Sequence, residues 1–533
     1  MAMAGSFRCS DGEMYCEKIN LKEMLKQLEA RYQAVLTPLF VYSRKKLQEN
    51  VQAYIDALRQ CGSSFQLNFS IKANQNLTIL REFQSLGLSA TLVSGNELRL
   101  ALEAGFEPTS LMFNGGGKCA WETHLAIKHG VLINVDSEWD LKQTLDICQH
   151  GFPEPKKTRV QIRMNLNIDP QVHKYVNTGM MDCKFGLSED CIEGCLRLLE
   201  EPGCPAELVG LHCHAGSTIY ETDVFKRCTE RLLHIHQKLV NRGFTKLKIL
   251  NVGGGLGIDY LEKEDETRPW RRETELNQSN LQELRQFLLL KSEETKITEM
   301  KQSTDELNSV DASCLVKAMA DLITDYQEER ISFHELKDAM GINLCPFPAL
   351  KQFVERLCPC LTQIAPHHAS PRDLVESISG LLKDTGVTLM LEPGRSLVAN
   401  TAVLLARVLG CKMTANKRYL ITDASMTEVI RPCLYGSYHH VSTLGTRSEH
   451  QHVFDIVGPV CESADFIGKD RLLPNIDQGF IVVHDVGAYC HSMSSNYNAR
   501  MKAAEVLVDD STWRVIRRQD NFEDFLAPYK NLE

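Results

Sequence analysis

No apolar run among the 533 residues approaches the roughly 18–20 that a bilayer crossing needs, so no membrane partner is expected. The N-terminus, MAMAGSFRCSDGEMYCEK, has no apolar core and is not Arg-rich. It reads as neither a signal peptide nor a transit peptide, which points to the cytoplasm, or to a plastid if a transit peptide has been removed. A basic excess is missing too. With a net charge of −10 the chain carries no electrostatic footprint for nucleic acid or anionic lipid. Paired cysteine spacing is absent: the nineteen cysteines are scattered and odd in number, which fits reduced thiols better than a disulfide framework. What remains, 43% hydrophobic and 24% charged, is ordinary for a soluble globular protein, and the length suits two or more domains.

The N-terminal stretch YCEKINLKEMLKQLEARYQAVL (15–36) predicts an amphipathic helix, and TPLFVYS a strand after it. From Ser64 to Pro393 eight short apolar runs follow, most ending in Gly, Asn, Asp or Ser: FQLNFSIK, LSATLVS, SLMFNGG, GVLINVDS, RVQIRMN, AELVGLHCHAG, KLKILNVGGG and VTLMLEPG. Helix-like segments fill most gaps. Strand–helix alternation of this kind predicts an α/β fold, a (β/α)8 TIM-type barrel over 44–396, preceded by a helix and strand over 1–43. One gap is too long. About 125 residues separate Tyr260 from Val387, where one crossover helix needs a few dozen, so 261–370 is expected to be a helical insertion after the seventh barrel strand. Inside it, ERISFHELKDAM echoes the end of a calcium loop, with Ile331 and Glu335 in place but Glu329 where the glycine belongs; an ordinary helix pair is expected. Cys358, Cys360, His367 and His368 lack the spacing of a zinc knuckle, so no metal is expected. Past Arg395, runs such as KRYLITDAS, HVFDIVGPV, GFIVVHDVGAY and KAAEVLVDD predict a β-rich domain (β-sandwich or β-barrel) over 397–533.

In such barrels the chemistry sits at the C-terminal strand ends, and the suspicious residues fall there. Lys72 ends a run that burial would desolvate, lowering its pKa as a Schiff-base amine requires; the alternative is a lysine that snorkels at a strand end. Gly253, Gly254 and Gly255 read either as a phosphate cradle or as a plain turn, and their spacing is not a dinucleotide fingerprint. Glu392, beside Gly394 and Arg395, is placed to hold a pyridinium nitrogen protonated, or else pairs with the arginine for structure. His214 suits stacking on a ring, or a structural role. Together they are the parts of a pyridoxal 5′-phosphate site.

The stretches TPLFVYS, SIKANQN, LVSGNEL, HKYVNTGMMDCKFGLS, HCHAGS, NVGGGLGIDY, LEPGRS, IRPCLYGSYH, GPVCESAD and GAYCHSMSSNYNARMKAAEVLV run in order from about residue 37 to 510. They resemble the alanine-racemase-fold pyridoxal-phosphate decarboxylases, and most closely the diaminopimelate decarboxylases. The resemblance implies decarboxylation of meso-2,6-diaminopimelate at its D-configured carbon to L-lysine and CO2, the last step of lysine biosynthesis. It makes Lys72 the cofactor lysine and His214 the ring-stacking group. Ser217, Gly253, Gly254, Gly255, Glu392, Gly394, Arg395 and Tyr489 would form the cofactor pocket. Arg395, Arg431, Tyr435, Glu462 and Tyr489 would hold the amino-acid substrate, and Cys461 would act as the acid near Cα across a head-to-tail homodimer interface. FNGGGK (Phe113 to Lys118) departs from the family's His-Gly-Asn-type turn. Three alternatives stay open: another basic amino acid as substrate (ornithine, arginine, lysine or carboxynorspermidine), a silent partner-binding homologue, and a barrel racemase.

Overall fold

The computed structural model describes residues 6–10, 13–170, 172, 178–180, 183–260, 282, 284–286, 288–289, 309–327, 336, 340, 354, 368–445, 451–476, 478–530 and 532. Its N-terminus differs from expectation. A small antiparallel sheet of β1 (Phe7–Ser10), β2 (Glu13–Cys16) and β3 (Ile19–Asn20) precedes helix α1 (Leu21–Tyr32), so Tyr15 and Cys16 are strand rather than helix. The reason is local: the Asn20 side chain accepts from the amides of Lys22 and Glu23 and caps the helix there, and Gln33 at φ 50° ends it. Leu21, Met24, Leu25 and Leu28 of α1 are buried against Val41, Leu405 and Val506. Each such side chain contributes about 1.5–3 kcal/mol.

Strand β4 (Leu39–Ser43) leads into α2 (Arg44–Gln60). The eight apolar runs then form β5 (Phe65–Ser70), β6 (Ser89–Leu92), β7 (Met112–Phe113), β8 (Leu132–Val135), β9 (Thr158–Arg163), β10 (Ala206–His212), β11 (Ile249–Asn251) and β12 (Thr388–Leu391). All pair in parallel and close a barrel when β12 meets β5, as the alternation predicts. Strands shielded on both faces bury nearly every residue, which is why they read as short continuous apolar runs. Helices α3 (Leu77–Ser85), α4 (Gly95–Ala104), α5 (Ala120–Lys128), α6 (Glu138–His150), α7 (Glu193–Glu200) and α8 (Asp223–Arg242) alternate with them.

The chain divides into two units, Met1–Tyr260 with His367–Lys469 and Leu473–Glu533, and Leu261–Pro366 with Asp470–Leu472. In the second, helix α9 (Ser309–Gln327) buries Met319, Ala320 and Ile323, and Arg285 Nε donates to Thr324 Oγ1 at 2.6 Å. Glu329, Ile331, Glu335, Cys358, Cys360 and His367 lie outside the described residues. Among the described residues no group of three metal-ligating side chains occurs, no helix is long and apolar enough to cross a membrane, and the cysteines are free. In the first unit, α10 (Pro371–Leu382) starts on a Ser370–Asp373 capping box and packs against α2 and α8.

After β12, the short helix α11 (Arg395–Val398) leads to a second sheet. Its strands are β13 (Ala402–Met413), β14 (Arg418–Thr422), β15 (Val441–Thr443), β16 (Gln451–Val457), β17 (Phe466–Pro474), β18 (Gly479–Val483), β19 (Ala504–Asp509) and β20 (Thr512–Arg517). Strand β4 sits inside this sheet, antiparallel to β13 and parallel to β19. The chain thus enters the barrel from the middle of its other sheet, and the two parts share one hydrophobic core.

Candidate active site

At the C-terminal end of the barrel lies a cavity of about 360 Å³. Lys72, His214, Ser217, Gly254, Gly255, Glu392, Gly394, Arg395, Tyr435 and Tyr489, all singled out from the sequence, line it. Gly253 precedes the lining glycines in the same turn. Arg431 is not in the wall: it is buried behind Tyr260, its guanidinium 4.8 Å from that ring, with Nη1 2.7 Å from His439 Nε2. Cys461 and Glu462 are exposed and absent from the wall. Cys461 N donates to Asn498 Oδ1, and Glu462 Oε2 accepts from Tyr497 at 3.5 Å.

Lys72 corrects one expectation. Strand β5 stops at Ser70, and Lys72 stands in a single 3-10 turn, Ile71–Ala73, with its side chain exposed toward the cavity rather than buried at a strand end. The lysine buried at this end of the barrel is Lys118, in the divergent FNGGGK turn. Its ammonium donates to Gly115 O (2.7 Å), Asn134 O (2.7 Å) and Asp140 Oδ2 (2.6 Å), and burial pulls its pKa down against the pull of Asp140.

Glu392 forms the floor. Its Oε1 accepts from Asn251 Nδ2 at 2.7 Å, and its Oε2 lies 3.4 Å from His212 Nε2. His212 Nδ1 accepts from Asn134 Nδ2 at 2.9 Å, which puts the imidazole proton on Nε2, facing the carboxylate. Burial pushes the Glu392 carboxyl up, but His212, Asn251 and Lys72 together hold it below its ordinary value. Burial keeps His212 below its own ordinary value although Glu392 opposes this, so the pair is carboxylate and neutral imidazole. His214, two residues beyond β10, is pushed well below the ordinary histidine range by burial first, then by Lys72, Arg163 and His212; its Nδ1 accepts from Gly254 N at 3.3 Å.

The wall beside Glu392 is backbone. A Cβ on Gly254 would meet Glu392 O at 2.2 Å, and one on Gly255, at φ 113°, would meet Gly216 O at 2.2 Å. Only glycine lets the turns after β10, β11 and β12 approach so closely. Opposite, Arg395 is fully enclosed: Nη2 donates to Ser217 Oγ at 3.1 Å, Nη1 to the Tyr260 hydroxyl, and the guanidinium stacks 4.9 Å from the Tyr489 ring. Sequence reasoning missed His212, Asn251, Tyr260 and Arg163. His212, Asn251 and Arg163 stood in strand-end runs and Tyr260 closed the stretch NVGGGLGIDY, but a neighbour with stronger chemistry drew the reading. Arg163 lines the cavity, stacks 4.5 Å from Phe185 and lies 3.8 Å from Asp136.

The family model described as "Pyridoxal-dependent decarboxylase, pyridoxal binding domain" matches residues 44–298. A rice protein named probable diaminopimelate decarboxylase, chloroplastic, is 34% identical over 528 residues, covering 98% of this chain and 85% of that one. Diaminopimelate decarboxylase of Helicobacter pylori strain J99 is 30% identical over 501 residues, covering 93% and 96%. Among solved structures, the H. pylori enzyme complexed with L-lysine superposes with a TM-score of 0.70 at 27% identity, covering 94% of this chain and 99% of that one. The M. jannaschii enzyme in complex with L-lysine gives 0.72 at 25%, covering 100% and 99%. A Chlorella virus arginine decarboxylase, 16% identical with a TM-score of 0.58, shares the fold alone.

Proposed function

The chain belongs to the diaminopimelate decarboxylase family, and from that premise we propose that it decarboxylates meso-diaminopimelate to L-lysine with pyridoxal phosphate. One observation carries the reading: an exposed lysine amine, a floor carboxylate held ionised and a side-chain-free glycine wall face a single cavity. Each fits a part of that cofactor, namely its aldehyde, its ring nitrogen and its phosphate. When bound, the cofactor supplies an electron sink for the pair left behind by CO2.

The chain's own groups do the rest. Lys72 offers an amine without a hydrogen-bond partner among the described residues, free to hold the cofactor and to yield it to the substrate. Glu392, kept a carboxylate by Asn251 and His212, would hold a proton on the ring nitrogen of the bound cofactor. His214, neutral and held at Nδ1 by Gly254 N, suits the ring face, where a charged imidazolium would oppose the cationic ring. Ser217 orients Arg395, while Tyr260 lies between Arg395 and Arg431 and keeps two guanidinia in one region. Arg395, in the same cavity wall as Tyr435, suits the distal carboxylate that diaminopimelate has and simple basic amino acids lack, while Arg431 adds positive charge from behind Tyr260. That missing carboxylate weighs against the basic amino acids as substrates, since they would leave a buried guanidinium unpaired.

Because Cys461 and Glu462 stand exposed away from this cavity, we assign them to a second copy's site. The partner subunit's Cys461 would supply the proton at Cα, and the partner subunit's Glu462 would take the distal ammonium, in a head-to-tail homodimer. Mixing Lys72→Ala and Cys461→Ala subunits tests this: a random dimer mix should recover about a quarter of wild-type activity, and no recovery in demonstrated heterodimers would refute shared sites. For the compartment, cytoplasm is proposed with plastid as the alternative; fractionation of the native source decides.

The activity itself is tested with purified protein and pyridoxal phosphate, offering meso-diaminopimelate, lysine, ornithine and arginine in parallel. Lysine and CO2 from diaminopimelate alone are expected. Turnover of only a basic amino acid would move the assignment to another decarboxylase.

A further inference from the structure

Lys72 sits on a turn of only three residues, whose start the barrel holds through Ser70, N donating to Pro393 O at 3.1 Å and Oγ to Glu392 O at 2.8 Å. Its far side is held from the second sheet. Ala73 O accepts from Tyr489 N at 2.9 Å and from Ser492 Oγ at 3.2 Å. Asn74 Nδ2 donates to Gly487 O and to the Tyr42 hydroxyl, both at 3.0 Å. Tyr42 in turn donates to Glu505 Oε1 at 2.9 Å. On the other side, Asn76 Nδ2 donates to Glu505 Oε2 at 2.8 Å, while its Oδ1 caps α3. Both arms end on one carboxylate.

Resting on the decarboxylase reading above, we propose that Glu505 is a positioning residue that fixes the Lys72 turn of the barrel against the Tyr489 segment of the second sheet. The geometry is unusual for a carboxylate. Glu505 is 1% exposed, and among the described residues its one ion-pair neighbour is His491, at 3.7 Å. Burial holds His491 below its ordinary value although Glu505 opposes this, so the neighbour is a neutral ring. The carboxylate thus stays buried on neutral donors, with one oxygen for each arm. Only an acceptor at both oxygens satisfies Tyr42 and Asn76 together. A glutamine would aim an amide N–H at one of these donors, loosening either the Asn74 arm or the α3 cap. Neither Glu505 nor Tyr42 lines the cavity, so the effect reaches the chemistry through backbone position. The same hold sets Tyr489, whose positive φ of 57° turns its ring onto Arg395.

The test uses the full chain, stripped of cofactor and reloaded with pyridoxal phosphate. Borohydride fixes whatever cofactor is bound to Lys72, and peptide mass mapping follows its rate; kcat, KM and the thermal midpoint are read alongside. Glu505→Gln should slow attachment at Lys72 and lower kcat by about 10–100-fold, with KM within about threefold. Tyr42→Phe should show about a tenfold loss, and the double variant should be no worse than Glu505→Gln, because the two act along one arm. A folded Glu505→Gln protein that attaches cofactor at the wild-type rate overturns the proposal. If Glu505→Gln does not fold, a wild-type rate in Tyr42→Phe does the same. Wild-type protein that attaches cofactor at Lys72 but leaves diaminopimelate untouched refutes the substrate reading and leaves this inference to the variants' rates.

Discussion

Lys72 and Lys118 stand at the same end of the same barrel and behave as opposites. Lys118 is 3% exposed and gives three hydrogen bonds, one of them to a fully buried aspartate. Lys72 is exposed to the cavity. A strand-end position therefore does not decide what a lysine does; the acceptors around it do. Two buried carboxylates repeat the contrast. Glu392, with His212 and Asn251 against it, stays below the ordinary carboxyl range, whereas burial pushes Glu428 up to about 7 despite donors from Thr427 and Ser425. Where a buried charge meets matched partners it is fixed for use, and where it does not, it is held nearer its neutral form.

The sharpest way to break the lysine comparison is to remove each one. Lys72→Ala should drop turnover to background while the unfolding midpoint stays within the range of an ordinary surface change, read by assay and thermal melt. Lys118→Met should do the reverse. It leaves Asp140 buried without its cation and should cost about 3–5 kcal/mol in urea unfolding, and replacing Asp140 by leucine as well should recover part of that. Glu428 gives the next largest effect. Its folded pKa lies above its unfolded value of about 4.5, so the stability it contributes is full below that value and is lost as pH rises through about 7. Glu428→Gln cannot ionise and should flatten that loss, about 3 kcal/mol between pH 4.5 and 7, in unfolding curves recorded across the range. An unchanged pH slope would mean that Glu428 titrates as an ordinary carboxyl.

The barrel was legible because parallel strands covered on both faces appear as apolar runs, and because each run ends on the residues that turn it. FQLNFSIK and KLKILNVGGG show this plainly, although the strand in the first stops two residues before its lysine. Strand β13 was not singled out, since AVLLARVLGCKM has no turn residue to mark its start and follows directly on α11 and a 3-10 turn. The end of β2 and all of β3 were hidden inside a helical pattern that Asn20 cuts short. Of the site, residues with distinctive chemistry were readable one by one: Lys72, Glu392, His214. His212 was passed over for His214 because spacing along one strand end cannot tell which imidazole faces the carboxylate. The position of Cys461 and Glu462 was legible only through family resemblance, and the fold of one chain leaves them outside the cavity.

The central claim is that Lys72, and not the buried Lys118, is the amine that takes the cofactor. The direct measurement is to load wild-type protein with pyridoxal phosphate, reduce with borohydride and map the modified peptide by mass spectrometry. All of the label should sit on the peptide carrying Lys72, and Lys72→Ala should carry none. Label on the Lys118 peptide, or undiminished label in Lys72→Ala, would contradict the account.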